Sequence, residues 1–149
     1  MIRPGRVSDL PEIMRIRTSV RENHLSVAQM AEVGITEASI AERITADNLG
    51  CWVAEHNGTL TGFSMADRLE SEVFALFVDP AHEGKGHGSA LLRACEDWLL
   101  LNGCAEARLN TEPGTRADAF YQRRGWTPTG ETSGLFAEDK VMTKRLSRS

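Results

Sequence analysis

Three glycines at alternate positions, Gly84, Gly86 and Gly88, carry the clearest chemical signal in this chain. They follow an apolar run over residues 73–78 that Asp79 and Pro80 stop, and they precede apolar residues at helical spacing: Leu91, Leu92, Cys95, Trp98 and Leu99. A strand, a glycine loop and a helix N-terminus in that order make a site for a phosphate group. Glycine has no Cβ, so backbone N–H groups come close to an anion. The first turn of the helix adds unpaired N–H groups and the positive end of its dipole.

Better-known phosphate motifs fail on these residues. A G-x-G-x-x-G fingerprint would need its third glycine at Ser89 or Leu91, and no glycine is followed by Lys-Ser or Lys-Thr at P-loop spacing. His82-Glu83 begins a zinc motif H-E-x-x-H, but Gly86 stands where the second histidine belongs and His87 comes one residue late. On a helix that slip turns the second ligand about 100° away, so no metal is expected.

The elements that must hold this loop can be read in order. Residues 1–3 predict a short first strand. Ser8-Asp9 reads as an N-cap before Leu10-Pro11-Glu12, and Ile13, Ile16 and Val20 predict a helix to about residue 20. Residues 21–48 are less regular: a short helix around Met30 is broken by Gly34, and a second starts near Thr36 and turns Ile40 and Ile44 inward. Residues 51–55 and 59–65 flank the hairpin turn His56-Asn57-Gly58. The strand 72–78 alternates so that Glu72, Phe74, Leu76 and Val78 face one way and Val73, Ala75 and Phe77 the other. Both faces are mainly apolar, which predicts a central strand covered on both sides. The long helix ends at Asn102-Gly103, residues 105–111 form a strand, Thr115 caps a helix that Gly125 ends, and residues 127–146 supply two closing antiparallel strands.

The loop with its flanks resembles the coenzyme A loop of the GNAT superfamily of N-acetyltransferases, Gln/Arg-x-x-Gly-x-Gly/Ala after a strand ending Val-x-Pro and before a helix starting with Leu-Leu. Val78-Asp79-Pro80, Gly86-His87-Gly88 and Leu91-Leu92 supply those parts, and Glu83 departs from the family by standing at the Gln/Arg position. A second family motif is matched by Ala117, Phe120, Tyr121, Arg123, Gly125 and Trp126, with Gly114 where the family often has asparagine. The resemblance implies an α/β (α+β) fold: a mixed, mostly antiparallel sheet of six or seven strands, flanked by helices and splayed at an acetyl-CoA site.

The resemblance also implies roles. The coenzyme is expected on Glu83, Gly84, Lys85, Gly86, His87, Gly88, Ser89 and Arg116, with a backbone N–H near Phe77 or Val78 for the developing oxyanion. Glu83 is expected to point outward, with Lys85 adding local positive charge. Many members use a glutamate on this strand as general base, which nominates Glu72 and Glu70; a partly buried carboxylate has a raised pKa and accepts a proton near neutrality. Tyr121, the one tyrosine, is the expected donor to the departing thiolate. Glu22 and Asn23 fall in the region that overhangs the acceptor. The implied reaction moves acetyl from acetyl-CoA to a small-molecule or peptide amine. An inactive acyl-CoA sensor of the same fold, and a domain for another nucleotide, are the alternatives.

Composition sets the remaining bounds. A chain of 149 residues fits one domain spanning 1–149, and 41% hydrophobic with 26% charged content is ordinary for a globular protein. A net charge of −4 argues against a nucleic-acid surface. Residues 98–101 are too few to span a membrane, and the N-terminus has no apolar run like a signal peptide. Cys51, Cys95 and Cys104 lie in apolar segments without a C-x-x-C pair, which predicts buried, reduced thiols in the cytoplasm. Dimers are common in the family, so a homodimer is allowed for.

Overall fold

The computed structural model describes residues 1–19, 27–133 and 139–147. Seven strands among them form one sheet: β1 (Ile2–Pro4), β2 (Leu49–His56), β3 (Thr59–Asp67), β4 (Glu72–Val78), β5 (Glu106–Thr111), β6 (Thr127–Ser133) and β7 (Asp139–Arg145), in the order β1-β2-β3-β4-β5-β7-β6. Helices α1 (Leu10–Ser19), α2 (Val27–Glu32) and α3 (Glu37–Thr45) precede β2; α4 (His87–Leu101) joins β4 to β5, and α5 (Arg116–Arg123) follows β5. All strand pairs are antiparallel except β4–β5. This is the mixed, helix-flanked sheet that the resemblance implies.

Local chemistry explains the element boundaries. Thr36 and Ser39 cap α3 reciprocally, each side chain accepting the other's backbone N–H. Asn57 and Gly58 both take positive φ (52° and 77°) to turn β2 into β3. The side chain of Thr115 accepts from the backbone N–H of Asp118 at the start of α5. Val20, the expected end of the first helix, lies outside the described residues.

Two cores cover the sheet. On one face α4 sets Leu92, Cys95 and Leu99 against Ala107, Leu109, Tyr121, Trp126 and Met142. On the other, Leu10, Ile13 and Ile16 of α1 and Ile40 of α3 pack on Val53, Phe63 and Met65. A Cβ at Gly62 would lie 3.0 Å from the Phe77 carbonyl oxygen and 3.1 Å from Leu91 Cδ1, so glycine here lets α4 sit close on β3. Ser64 Oγ, also on β3, donates to the Leu91 carbonyl at 3.0 Å. Burial pushes the thiols of Cys51 and Cys95 up to about 12, so both stay protonated and inert.

One alternation differs from the sequence reading. Val73 pairs with Ala66 and Ala75 with Met65, which leaves Phe74 as an extra residue in β4. This β-bulge reverses the alternation beyond it. Leu76 therefore joins Val73 on the α4 face, while Ala75 and Phe77 join Phe74 on the α1–α3 face.

Helix α4 is tied to the closing strands by a buried cluster. Glu96 accepts from Trp126 Nε1 at 3.2 Å and from Lys144 Nζ at 2.8 Å. Replacing Glu96 by alanine strands both donors, and the expected loss is about 3 kcal/mol. A urea titration checks it: the midpoint should fall with the slope unchanged.

Candidate active site

Strands β4 and β5 pair only at Glu72 and Arg108. The Arg108 N–H bonds the Ser71 carbonyl at 2.9 Å, and Ser71 Oγ donates to the Glu106 carbonyl, which fixes the closed end. Beyond it the strands part and a cleft of about 800 Å³ opens between them, running along residues 73–78 toward the glycine loop and α5.

The open edge of β4 carries free main-chain groups. The Asp79 N–H donates to the Thr61 carbonyl of β3 at 2.7 Å. Main-chain groups alternate in direction along a strand, so Phe77 also turns toward its partner Phe63. Leu76 and Val78 then turn N–H and C=O toward the cleft. Of the two residues named for an oxyanion amide, Val78 therefore faces the cleft and Phe77 faces β3. The Phe77 ring instead packs on Phe63, with the buried Arg17 guanidinium 4.2 Å from its centroid.

At the cleft mouth the loop takes the shape its glycines allow. Gly84 and Gly86 have φ of 79° and 83°, and a Cβ on either would meet nothing within 4 Å. The first helical bond of α4 runs from the Ala90 N–H to the Gly86 carbonyl. The amides of His87, Gly88 and Ser89 precede it, so they are available to an anion. His87 Nδ1 lies 2.9 Å from Thr61 Oγ1, which anchors the loop to β3. Burial lowers the pKa of this imidazole.

Charges around the mouth are sorted. The Glu83 carboxylate pairs with Arg116 at 2.7 Å, across the cleft from α5. A carboxylate at the Gln/Arg position is therefore offset by a cation beside it. Lys85 is exposed and reaches His82 Nδ1 at 3.2 Å rather than lining the cleft. Sequence reasoning missed Arg124. Its guanidinium stacks 3.8 Å from the Phe120 centroid and its Nε donates to Ser89 Oγ at 3.0 Å, directly behind the loop amides. The second motif drew attention to Arg123, and the neighbouring arginine was the available signal.

The nominated catalytic side chains are not equivalent. Tyr121 is buried, lines the cleft on the α4 face, and packs edge-on against Phe120 and Trp126. Burial, with a smaller effect from Cys95, holds its phenol above the ordinary range, so it keeps its proton. Glu72 is half-buried at the closed end, one residue short of the cleft wall, and its carboxyl pKa is raised, mainly by burial. Glu70 is exposed in the preceding turn, where its N–H is held by Asp67 Oδ1 at 3.1 Å, and it is not part of the cleft. Glu22 and Asn23 lie outside the described residues. Cleft, loop amides and buried phenol form one continuous surface suited to a long, phosphate-ended thioester.

Comparison with known proteins agrees with this geometry. A curated mycothiol acetyltransferase from Beutenbergia cavernae is 36% identical over 63 residues, 42% of this chain. The matched stretch is 21% of that relative's length, so the likeness covers a fifth of it. A GCN5-related N-acetyltransferase from Rhodopseudomonas palustris superimposes with a TM-score of 0.78 at 20% identity, over 98% of this chain and 95% of that one. The PaiA N-acetyltransferase of Thermoplasma acidophilum, solved in complex with coenzyme A, gives 0.75 at 19% identity over 97% and 98%. Residues 12–126 match the model of the acetyltransferase (GNAT) family. The chain belongs to the GNAT family of acetyltransferases.

Proposed function

We propose that this chain moves an acetyl group from acetyl-CoA to a primary amine by direct attack within a ternary complex. The observation that carries the reading is the parted β4–β5 pair, whose free β4 edge leads from the loop amides to the buried phenol of Tyr121. A pantetheine arm carries amides that match such an edge, and the diphosphate suits the amides of residues 87–89 backed by Arg124. Arg116 and Glu83 flank the same mouth.

In this reading the amine nitrogen attacks the thioester carbonyl, the C–N bond forms and the C–S bond breaks. The Leu76 or Val78 N–H polarises the carbonyl from the open edge of β4. Tyr121 stabilises the departing sulfur. Its phenol is a weaker acid than a free thiol of pKa about 8.5, so it acts as a hydrogen-bond donor to the thiolate rather than giving up its proton. Glu72 accepts the amine's surplus proton through water. Half-buried and raised above the usual carboxylate range, it is a stronger base than an exposed glutamate.

Thiol release with a panel of primary amines, beside thermal stabilisation by acetyl-CoA, tests the reaction. Stabilisation without amine-dependent release would identify a sensor instead. Tyr121→Phe should lower kcat by about tenfold or more while leaving coenzyme affinity nearly unchanged; an unaltered rate removes the phenol from the chemistry.

The base is tested by pH. Glu72 works only when ionised, so kcat/KM should rise with pH through its raised pKa, above the ordinary value of 4.5. Glu72→Gln should abolish that acidic limb. A profile identical to wild type assigns proton removal elsewhere.

A further inference from the structure

Asn110 lines the cleft from β5, and its Oδ1 is buried and accepts no hydrogen bond from any described residue. A buried acceptor left unpaired is costly, and such groups in folded proteins usually have a reason. Two more observations fix what could meet it.

The first is depth. Asn110 lies two residues beyond Arg108, where the strands part, or about 7 Å along β5. The glycine loop lies at the other end of β4, about 20 Å from Glu72 along the strand. Asn110 therefore belongs to the thioester end of the cleft and not to the diphosphate end.

The second is the face. Ala107 and Leu109 pack into the core under α4, so Arg108 and Asn110 point to the opposite face. Glu72, opposite Arg108, shares that face, whereas Tyr121 lies in the α4-face core. The amine adds to the carbonyl from above the thioester plane, in which the sulfur lies, so a phenol held at the sulfur leaves the other face of the sheet open to the nucleophile. Asn110 stands on the side away from the phenol, with the proposed base.

Resting on the transferase reading above, we propose that the Asn110 side-chain carbonyl binds the attacking amine, accepting one N–H and aiming the nitrogen lone pair at the thioester. The coenzyme's own amides are matched by the free β4 edge and do not require Asn110. The neutral amide takes no proton. The proton lost as the C–N bond forms is the amine's other one, which leaves through water to Glu72, and the electron pair of the broken C–S bond stays on sulfur. Asn110 is thus a substrate-orienting residue.

The test compares wild type with Asn110→Leu and Asn110→Asp. Spermidine, tyramine, kanamycin and an alanyl tripeptide serve as acceptors, with thermal melting of the free and coenzyme A-bound proteins. Leucine removes the unpaired acceptor, so the free protein should melt about 2–4 °C higher. The coenzyme A-induced rise should stay the same. For the best amine, KM should increase about tenfold or more in Asn110→Leu while KM for acetyl-CoA stays within about twofold. Aspartate keeps an oxygen at the same place and should recover the amine KM to within about threefold of wild type. An amine KM unmoved by leucine overturns the inference. So does a parallel rise in KM for acetyl-CoA, or a lower melting point with both constants worsened, which is the signature of a packing role. In each of these cases the transferase reading survives. Wild-type protein that binds coenzyme A yet acetylates none of the four amines overturns both.

Discussion

The constraint behind this structure is that main-chain N–H and C=O groups inside a sheet need partners. Strands β4 and β5 satisfy it once, at Glu72 and Arg108, and then separate. Beyond that pair the β4 edge is left open in the middle of a seven-stranded sheet rather than at its rim. An edge in that position, walled by Leu109, Thr111 and the helix carrying Tyr121, is a template for an extended ligand with amides of its own. The glycine loop, the basic residues of α5 and the buried phenol all take their meaning from this gap. Without it the loop would be a helix N-terminus with nothing leading away from it.

Much of this was legible in the sequence because it is local. The Asn57-Gly58 turn, the Thr115 cap, the glycine-to-helix junction and the span of β4 each depend on neighbours within a few residues, and each stands where the residues point. The β-bulge at Phe74 was not legible. An unbroken apolar run has no polar residue to report which face it occupies, so a one-residue insertion leaves no trace in the pattern. Its consequence reaches the site, because it decides that Leu76 and Val78, and not Phe77, open their amides to the cleft. Pairings between distant segments were equally hidden. Nothing in Glu83 names Arg116 as its partner, and nothing in Ser89 names Arg124.

The Glu83–Arg116 pair shows how a departure from a motif can be absorbed. A carboxylate beside a diphosphate would be repulsive if it acted alone. Paired at 2.7 Å with an arginine from the opposite lip, it contributes a nearly neutral couple, and solvent screens what is left. The positive field at the mouth then comes from the helix start and from Arg124, which is held on Phe120 and Ser89 and so loses little freedom on meeting an anion.

The two faces of the sheet are built for different tasks. On the α4 face a long helix is cross-linked to the last strand by Glu96, Lys144 and Trp126, and Asp118 joins α5 to Lys140 of β7 at 2.8 Å. Those ties hold the loop amides and the phenol in fixed relation, which a coenzyme of constant shape rewards. The other face is covered by three short helices whose arginines lie over β4 aromatics, Arg17 on Phe77 and Arg43 on Phe74. Arg43 is tied to Asp67 of β3 at 2.7 Å, but these helices are short, and short helices change contour at less cost than a long one. That is the face to which Glu72 and Asn110, with its buried and unpaired Oδ1, belong. On the proposed reading, acceptor choice varies on one side of β4 while the acetyl donor is held unchanged on the other.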